Sequence, residues 1–151
     1  MFKKVILSVI GMLMLSGAVQ AADPNIYSHK KSGAIKGTDP VAYFSLEAGQ
    51  KAVKGSKEHT HKWNGATWRF SSADNKDKFI ENPEKYAPQY GGYCAFAVSH
   101  NFTKPTDPNA WRIVDGKLYL NLSKKVQKKW LKDVPGNISK ADNNWPTVLG
   151  K

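Results

Sequence analysis

The sequence predicts a small single α+β domain, with two β-hairpins and several short helices around an aromatic core. Two tight-turn dipeptides, Asn64-Gly65 and Asp115-Gly116, each lie between short runs rich in aromatic and β-branched residues. Hydroxyl and carboxylate residues stand ahead of short apolar-periodic stretches, where helix N-caps belong. Five Trp, six Tyr and six Phe in a chain of 151 residues supply a packed interior, and 40% hydrophobic content argues against wholesale disorder. The length fits one domain.

The first segment reads as an address. Met1-Phe2-Lys3-Lys4 is positive, Val5 to Leu15 is apolar, and Ser16 to Ala21 supplies small residues at a cleavage point. That order is the pattern of a secretory signal, and the apolar run is short of the ~20 residues needed to span a bilayer. The expected organisation is a signal peptide over 1–21, an extended N-terminal arm over 22–38, and the domain proper over 39–151. Cleavage after about Ala21 predicts an exported protein, in the periplasm of a bacterium.

Along the domain, Asp39-Pro40 marks a turn before Val41-Ala42-Tyr43-Phe44. His59 to Trp63 and Thr67 to Phe70 form the first hairpin, with His59, His61 and Trp63 on one face by strand alternation. Ser71 to Asp74 can cap a helix running through Phe79-Ile80, which stops before Asn82-Pro83 because Pro83 disfavours helical geometry ahead of it. Pro83 to Tyr86 opens another short turn, and Tyr90 to Val98 reads as a buried helix started by glycine. Trp111 to Leu120 form the second hairpin. A helix is expected over Lys124 to Asp133, capped by Ser123 and ended by Pro135-Gly136, with Leu122, Val126 and Trp130 sharing a face. Ile138 and Trp145 suggest a tail that folds back.

Charge limits the partners. The chain has 23 Lys+Arg against 12 Asp+Glu, a formal net charge of +11. In an exported chain the acidic partners are lipid head groups, envelope polymers or acidic proteins, and nucleic acid is excluded. Only Arg69 and Arg112 are arginines, so the attraction is that of solvated lysine, diffuse and screened by salt. The basic helix bearing Lys124, Lys125, Lys128, Lys129 and Lys132 has a narrow apolar face, which makes membrane-surface contact weak.

The single cysteine, Cys94, excludes an internal disulfide framework, a zinc site of several cysteines, and a thioredoxin-like cycle within one chain. Two readings of it stand. Placed after Gly91-Gly92 near a helix start, the thiol can feel backbone N–H groups that favour thiolate, the form that attacks or binds metal. Alternatively it packs as a small inert hydrophobe. His59 and His61, with Cys94 and His100, would make a mixed nitrogen and sulfur set suited to copper or zinc. Against this, His100 lies six residues past Cys94, on a poorly matched helix face, and strand histidines are commonly mere surface residues. No spacing supports a Cys-His catalytic pair, and there is neither a phosphate-cradling loop nor a haem-attachment motif, so no catalytic residue, nucleotide or haem is assigned.

Several blocks resemble exported YHS-domain proteins, a family that includes selenoproteins. They are Asp39-Pro40-Val41-Ala42-Tyr43-Phe44, Trp63 to Ala73, Asn82-Pro83-Glu84-Lys85-Tyr86, Ala87 to Ala95, Val114 to Asn121, and Pro135-Gly136-Asn137-Ile138, together covering about residues 34–146. The resemblance implies that the chalcogen at Cys94 matters, since some relatives carry selenocysteine at that position. It also implies soft-metal handling, because shorter YHS domains accompany heavy-metal-transporting ATPases. Those domains favour a cysteine after Asp-Pro-Val, where this chain has Ala42. The expected function is therefore non-enzymatic: a periplasmic YHS-like protein binding a soft or borderline metal, copper favoured over zinc, through Cys94. The alternatives are thiol redox chemistry at Cys94 with a periplasmic partner protein, and a non-catalytic envelope interaction module.

Overall fold

The computed structural model describes residues 23–151, and the signal peptide expected over 1–21 lies outside them. Among the described residues no helix is long and apolar enough to cross a membrane. Mixed helices and antiparallel hairpins surround an aromatic interior, as the sequence predicts.

A two-residue pairing of β1 (Ser28–His29) with β2 (Gly33–Ala34) lies inside the N-terminal arm. The arm is not a free extension. Ile26, Ala34 and Ile35 are buried, the Tyr27 N–H donates to the Gly91 carbonyl (2.8 Å), and the Asp23 N–H donates to the Leu149 carbonyl (2.9 Å). These few apolar anchors are hidden in a polar run, which is why local composition suggests only an extended segment.

The first long hairpin joins β3 (Ser56–Trp63) to β4 (Ala66–Phe70), with Trp63 opposite Ala66. Asn64 (φ 48°) and Gly65 (φ 78°) take the left-handed geometry that a two-residue turn demands. The register shifts between Ser56 and Thr60, so His59 sits in the irregular part of β3. α1 (Ala73–Glu81) then starts at Ser72, whose Oγ accepts the Asn75 N–H at 3.1 Å. α2 (Pro83–Tyr86) follows, with Pro83 in the first turn, where its missing N–H costs nothing.

The helix expected over Tyr90 to Val98 is instead two pieces. A 3-10 turn spans Gln89–Gly92, and α3 covers only Ala95–Ser99. Tyr90 (φ 56°), Gly91 (φ 61°) and Gly92 (φ 81°) form a left-handed run in which no right-handed helix can begin. A Cβ at Gly91 would strike the Asn25 carbonyl, so the close approach of the arm requires glycine there.

The second long hairpin, β5 (Asp107–Val114) with β6 (Lys117–Asn121), turns at Asp115 (φ 50°) and Gly116 (φ 72°). α4 (Lys124–Trp130) is capped by Ser123, whose Oγ accepts the Val126 N–H at 3.1 Å. Trp130 and Gln127 are buried and Val126 half-buried, so the apolar face of α4 is taken up by the core, while Leu122 is 39% exposed and does not share it. Pro135 does not end the helical region. After a 3-10 turn, α5 (Val134–Asn144) begins there, with the Asp133 carboxylate accepting the Gly136 N–H at 3.1 Å. Proline is tolerated in a first turn, so Asp-Val-Pro-Gly serves equally as a stop or a start. The tail does fold back, burying Val148 and Leu149.

Two buried clusters result. One gathers Tyr43, Trp68, Phe70, Phe79, Trp111, Leu118 and Leu120. The other gathers Tyr90, Tyr93, Val98, Tyr119, Trp130, Ala141 and Val148. β6 divides them, sending Leu118 and Leu120 to the first and Tyr119 to the second by simple alternation.

The first cluster is tied together by a fully buried carboxylate, Asp39. Its Oδ1 accepts the N–H groups of Val41 (2.8 Å) and Ala42 (3.2 Å). Its Oδ2 accepts the Ser71 N–H (2.8 Å), the Ser71 hydroxyl (2.6 Å) and the Asn75 amide (2.8 Å). Asp39→Asn keeps the Oδ1 bonds but turns an N–H toward the donors from Ser71 and Asn75. The expected loss in chemical denaturation is about 3 kcal/mol, since buried donors are left without an acceptor; a loss within ~0.5 kcal/mol would mean that these bonds do not matter.

Three tyrosines give a pH signature. Burial pushes the Tyr43 hydroxyl well above its usual range, with the Asp107 and Asp39 carboxylates adding to the effect. Burial, then the bond to Asp142, does the same to Tyr90, and burial followed by the Asp23 charge pushes Tyr93 up to about 12. The protonated phenol is the form favoured on folding. The stabilisation is therefore complete below the ordinary tyrosine value of ~10 and is lost as pH rises above it. Tyrosinate absorbance is expected to appear together with unfolding in an alkaline titration. Ionisation of these tyrosines near pH ~10 in a chain that stays folded would contradict their burial.

Candidate functional site

The backbone break at Tyr90–Gly92 sets Cys94 at the N-cap of α3. Its N–H donates to the Lys104 carbonyl (3.0 Å) and its carbonyl accepts the Val98 N–H (3.0 Å), so the residue is fixed from both sides. Cys94 is 1% exposed. Its Sγ accepts the Leu122 N–H at 3.2 Å and can donate its proton to Asn121 Oδ1 at 3.6 Å. Asn121, from the end of β6, is fully buried; its Oδ1 also takes the Phe96 N–H at 3.1 Å, and its Nδ2 finds no partner.

Two opposing effects act on this thiol. Removal from water disfavours thiolate and dominates, raising the pKa; the N–H groups of Ala97, Leu122 and Phe96 pull the other way. The resting state is thus a neutral thiol that both accepts and donates a hydrogen bond. This is not a greasy filler position, because polar groups surround the sulfur, but neither is it an activated one.

The histidines lie elsewhere in the contact pattern. His61 packs its ring against Phe79 of α1 (6.4 Å between centroids), in the cluster that also holds Trp63. His59 is half-buried in the irregular part of β3. His100 stacks on Phe96 (4.4 Å), with Nδ1 within 2.9 Å of the Phe96 carbonyl and 3.0 Å of Ser99 Oγ. His29 is exposed, its Nδ1 beside Ser32 Oγ at 2.9 Å. Among the described residues, no three His, Cys, Asp or Glu side chains gather closely enough to hold a metal ion. A preformed centre of Cys94 with two or three histidines is therefore not built. Linear spacing reports which side of a strand or helix a residue takes, but not which elements meet.

Sequence reasoning assigned no role to Asn121, the side chain that meets both the sulfur and the start of α3. Its only local signal is a polar residue ending an apolar strand, too common to single it out. Native Cys94 is expected to react with a thiol-specific reagent orders of magnitude more slowly than the denatured chain. Equal rates would show that the sulfur is open to solvent.

Residues 48–90 match the family model of the YHS domain. The matched stretch runs from the loop before β3 through α2 to Tyr90, so it contains His59 and His61 and stops short of Cys94 and His100. No curated protein and no solved structure matches the chain. The match makes this stretch, less than a third of the chain, similar to a YHS domain.

Proposed function

We propose that this is an exported, periplasmic, non-enzymatic YHS-domain protein that binds a soft metal ion, copper in preference to zinc, through the Cys94 sulfur. The observation that carries it is geometric: the buried Cys94 sulfur sits at the N-cap of α3 and accepts the Leu122 backbone N–H at 3.2 Å. Such donors stabilise negative sulfur, which is the form that coordinates metal.

The donor set favours copper over zinc. Zinc asks for four ligands of nitrogen, sulfur or oxygen, and no cluster of that size exists among the described residues. Thiolate alone is a softer preference, matched by copper in its reduced state. His59, His61 and His100 are accordingly left out of the proposed site. The burial that keeps the thiol protonated also argues against fast thiol exchange, the alternative redox role.

Binding on these terms has a pH dependence of known sign. Because the thiol is neutral at rest, each ion bound releases a proton, and affinity is expected to rise up to about tenfold per pH unit below the thiol's pKa. The test is titration of the mature protein with reduced copper. One equivalent should bind to the wild type and to a His59/His61/His100 triple alanine variant, and none to Cys94→Ala or Cys94→Ser. The serine hydroxyl can keep the bonds to Leu122 and Asn121 without offering a soft ligand, so it separates folding from binding. Equal binding in the Cys94 variants, or none in the wild type, rejects the proposal.

A further inference from the structure

Away from Cys94, an open groove of about 470 Å³ lies where four separate segments meet. The arm contributes Asn25, the first hairpin Trp63 and Asn64, the α2 region Glu84 and Gln89, and the C-terminal tail Trp145. Its volume falls within the ~300–1,000 Å³ of small-molecule sites.

Three independent features mark it as more than a crease. The first concerns the five tryptophans. Trp68, Trp111 and Trp130 are buried, while the two half-buried ones, Trp63 and Trp145, both line this groove. The Trp68 and Trp111 indole N–H groups are taken by the carbonyls of Trp63 (3.1 Å) and Gln50 (2.8 Å). Those of Trp63 and Trp145 have no such acceptor among the described residues and, unlike the equally unpartnered N–H of buried Trp130, are not sealed from solvent. The second is hydrogen-bonding capacity. The side chains of Asn25, Asn64 and Glu84, exposed, and of Gln89, half-buried, line the groove without a partner among the described residues, so amide and carboxylate groups are available to a ligand there. The third is the floor, where Tyr90 and Gly91 hold the left-handed backbone described above. A left-handed tyrosine is uncommon and strained, and such strain concentrates at ligand sites.

The chemistry of the lining selects a ligand. A chain with 23 Lys+Arg places none of them here, so an anion would find no counter-charge. Indole faces beside amides suit a molecule with apolar C–H faces and a rim of hydroxyls, because the electron-rich ring face attracts C–H edges while amides both donate and accept. We infer that the groove binds a neutral saccharide unit, stacked on Trp63 or Trp145 and held by Asn25, Asn64, Glu84 and Gln89. Cys94 does not line it, so copper binding and saccharide binding can fail separately.

The test follows the two indole N–H signals by nuclear magnetic resonance while the mature protein is titrated with maltose, cellobiose, chitobiose and an insoluble glycan fraction. Saturable shifts of both signals, with affinity reduced at least about tenfold in Gln89→Ala and Glu84→Ala, are the expected result. Trp145→Phe keeps an aromatic ring against Tyr90 and Tyr93 and should lose only the indole contribution. Response to soluble disaccharides identifies a free-sugar site, and response to the glycan alone identifies a polymer site; either supports the inference. Overturning results are no shift with any of these carbohydrates, or an affinity in Gln89→Ala and Glu84→Ala equal to that of the wild type.

Discussion

A carboxylate with no access to water has to find its compensation locally, and Asp39 does so without an ion pair among the described residues. Five donors from two separate stretches of chain converge on its two oxygens. The turn at Val41-Ala42 and the junction between β4 and α1 are thereby locked to each other. With the junction fixed, α1 lies across the first hairpin so that Phe79 meets Trp63, Trp68 and Phe70 at centroid distances of 5.7, 5.0 and 5.1 Å. Burying an ion in this way is costly, and the geometry is specific because each donor withheld would leave part of that cost uncompensated.

Cys94 shows the opposite balance. Around Asp39 many donors meet a full charge, whereas around the sulfur three N–H groups contend with a larger desolvation cost. The outcome is a guarded thiol, buried and held by the Leu122 backbone N–H. A buried single cysteine is shielded against stray oxidation, which an exposed one in an oxidising compartment would invite. The proposed metal role and the protection of the thiol thus come from the same enclosure.

What could be read from the sequence divides by range. Asn64-Gly65, Asp115-Gly116, Ser72 and Ser123 act on residues within four positions, and each has the conformation that its chemistry dictates. Pro135 was ambiguous because proline both ends and begins helices, and only the packing of Ala141 and Asn137 inside the second cluster decides in favour of a beginning. The role of Asp39 was not legible, since Ser71 and Asn75 lie 32 and 36 residues away. The candidate site suffered the same limit. That Cys94 matters was legible from its neighbours in sequence, but its meeting with Asn121, and the separate engagements of His61 and His100, arise from which elements pack together. The anchored arm was missed because two or three buried residues suffice to hold it.

The alternation of β6 has a consequence for how the molecule holds together. Leu118, Tyr119 and Leu120 are successive residues, yet they belong to different interiors. A slip of one position would carry the tyrosine hydroxyl into the first interior and leucines into the second, spoiling both at once. Both interiors, though separate in composition, therefore depend on the register of this one strand.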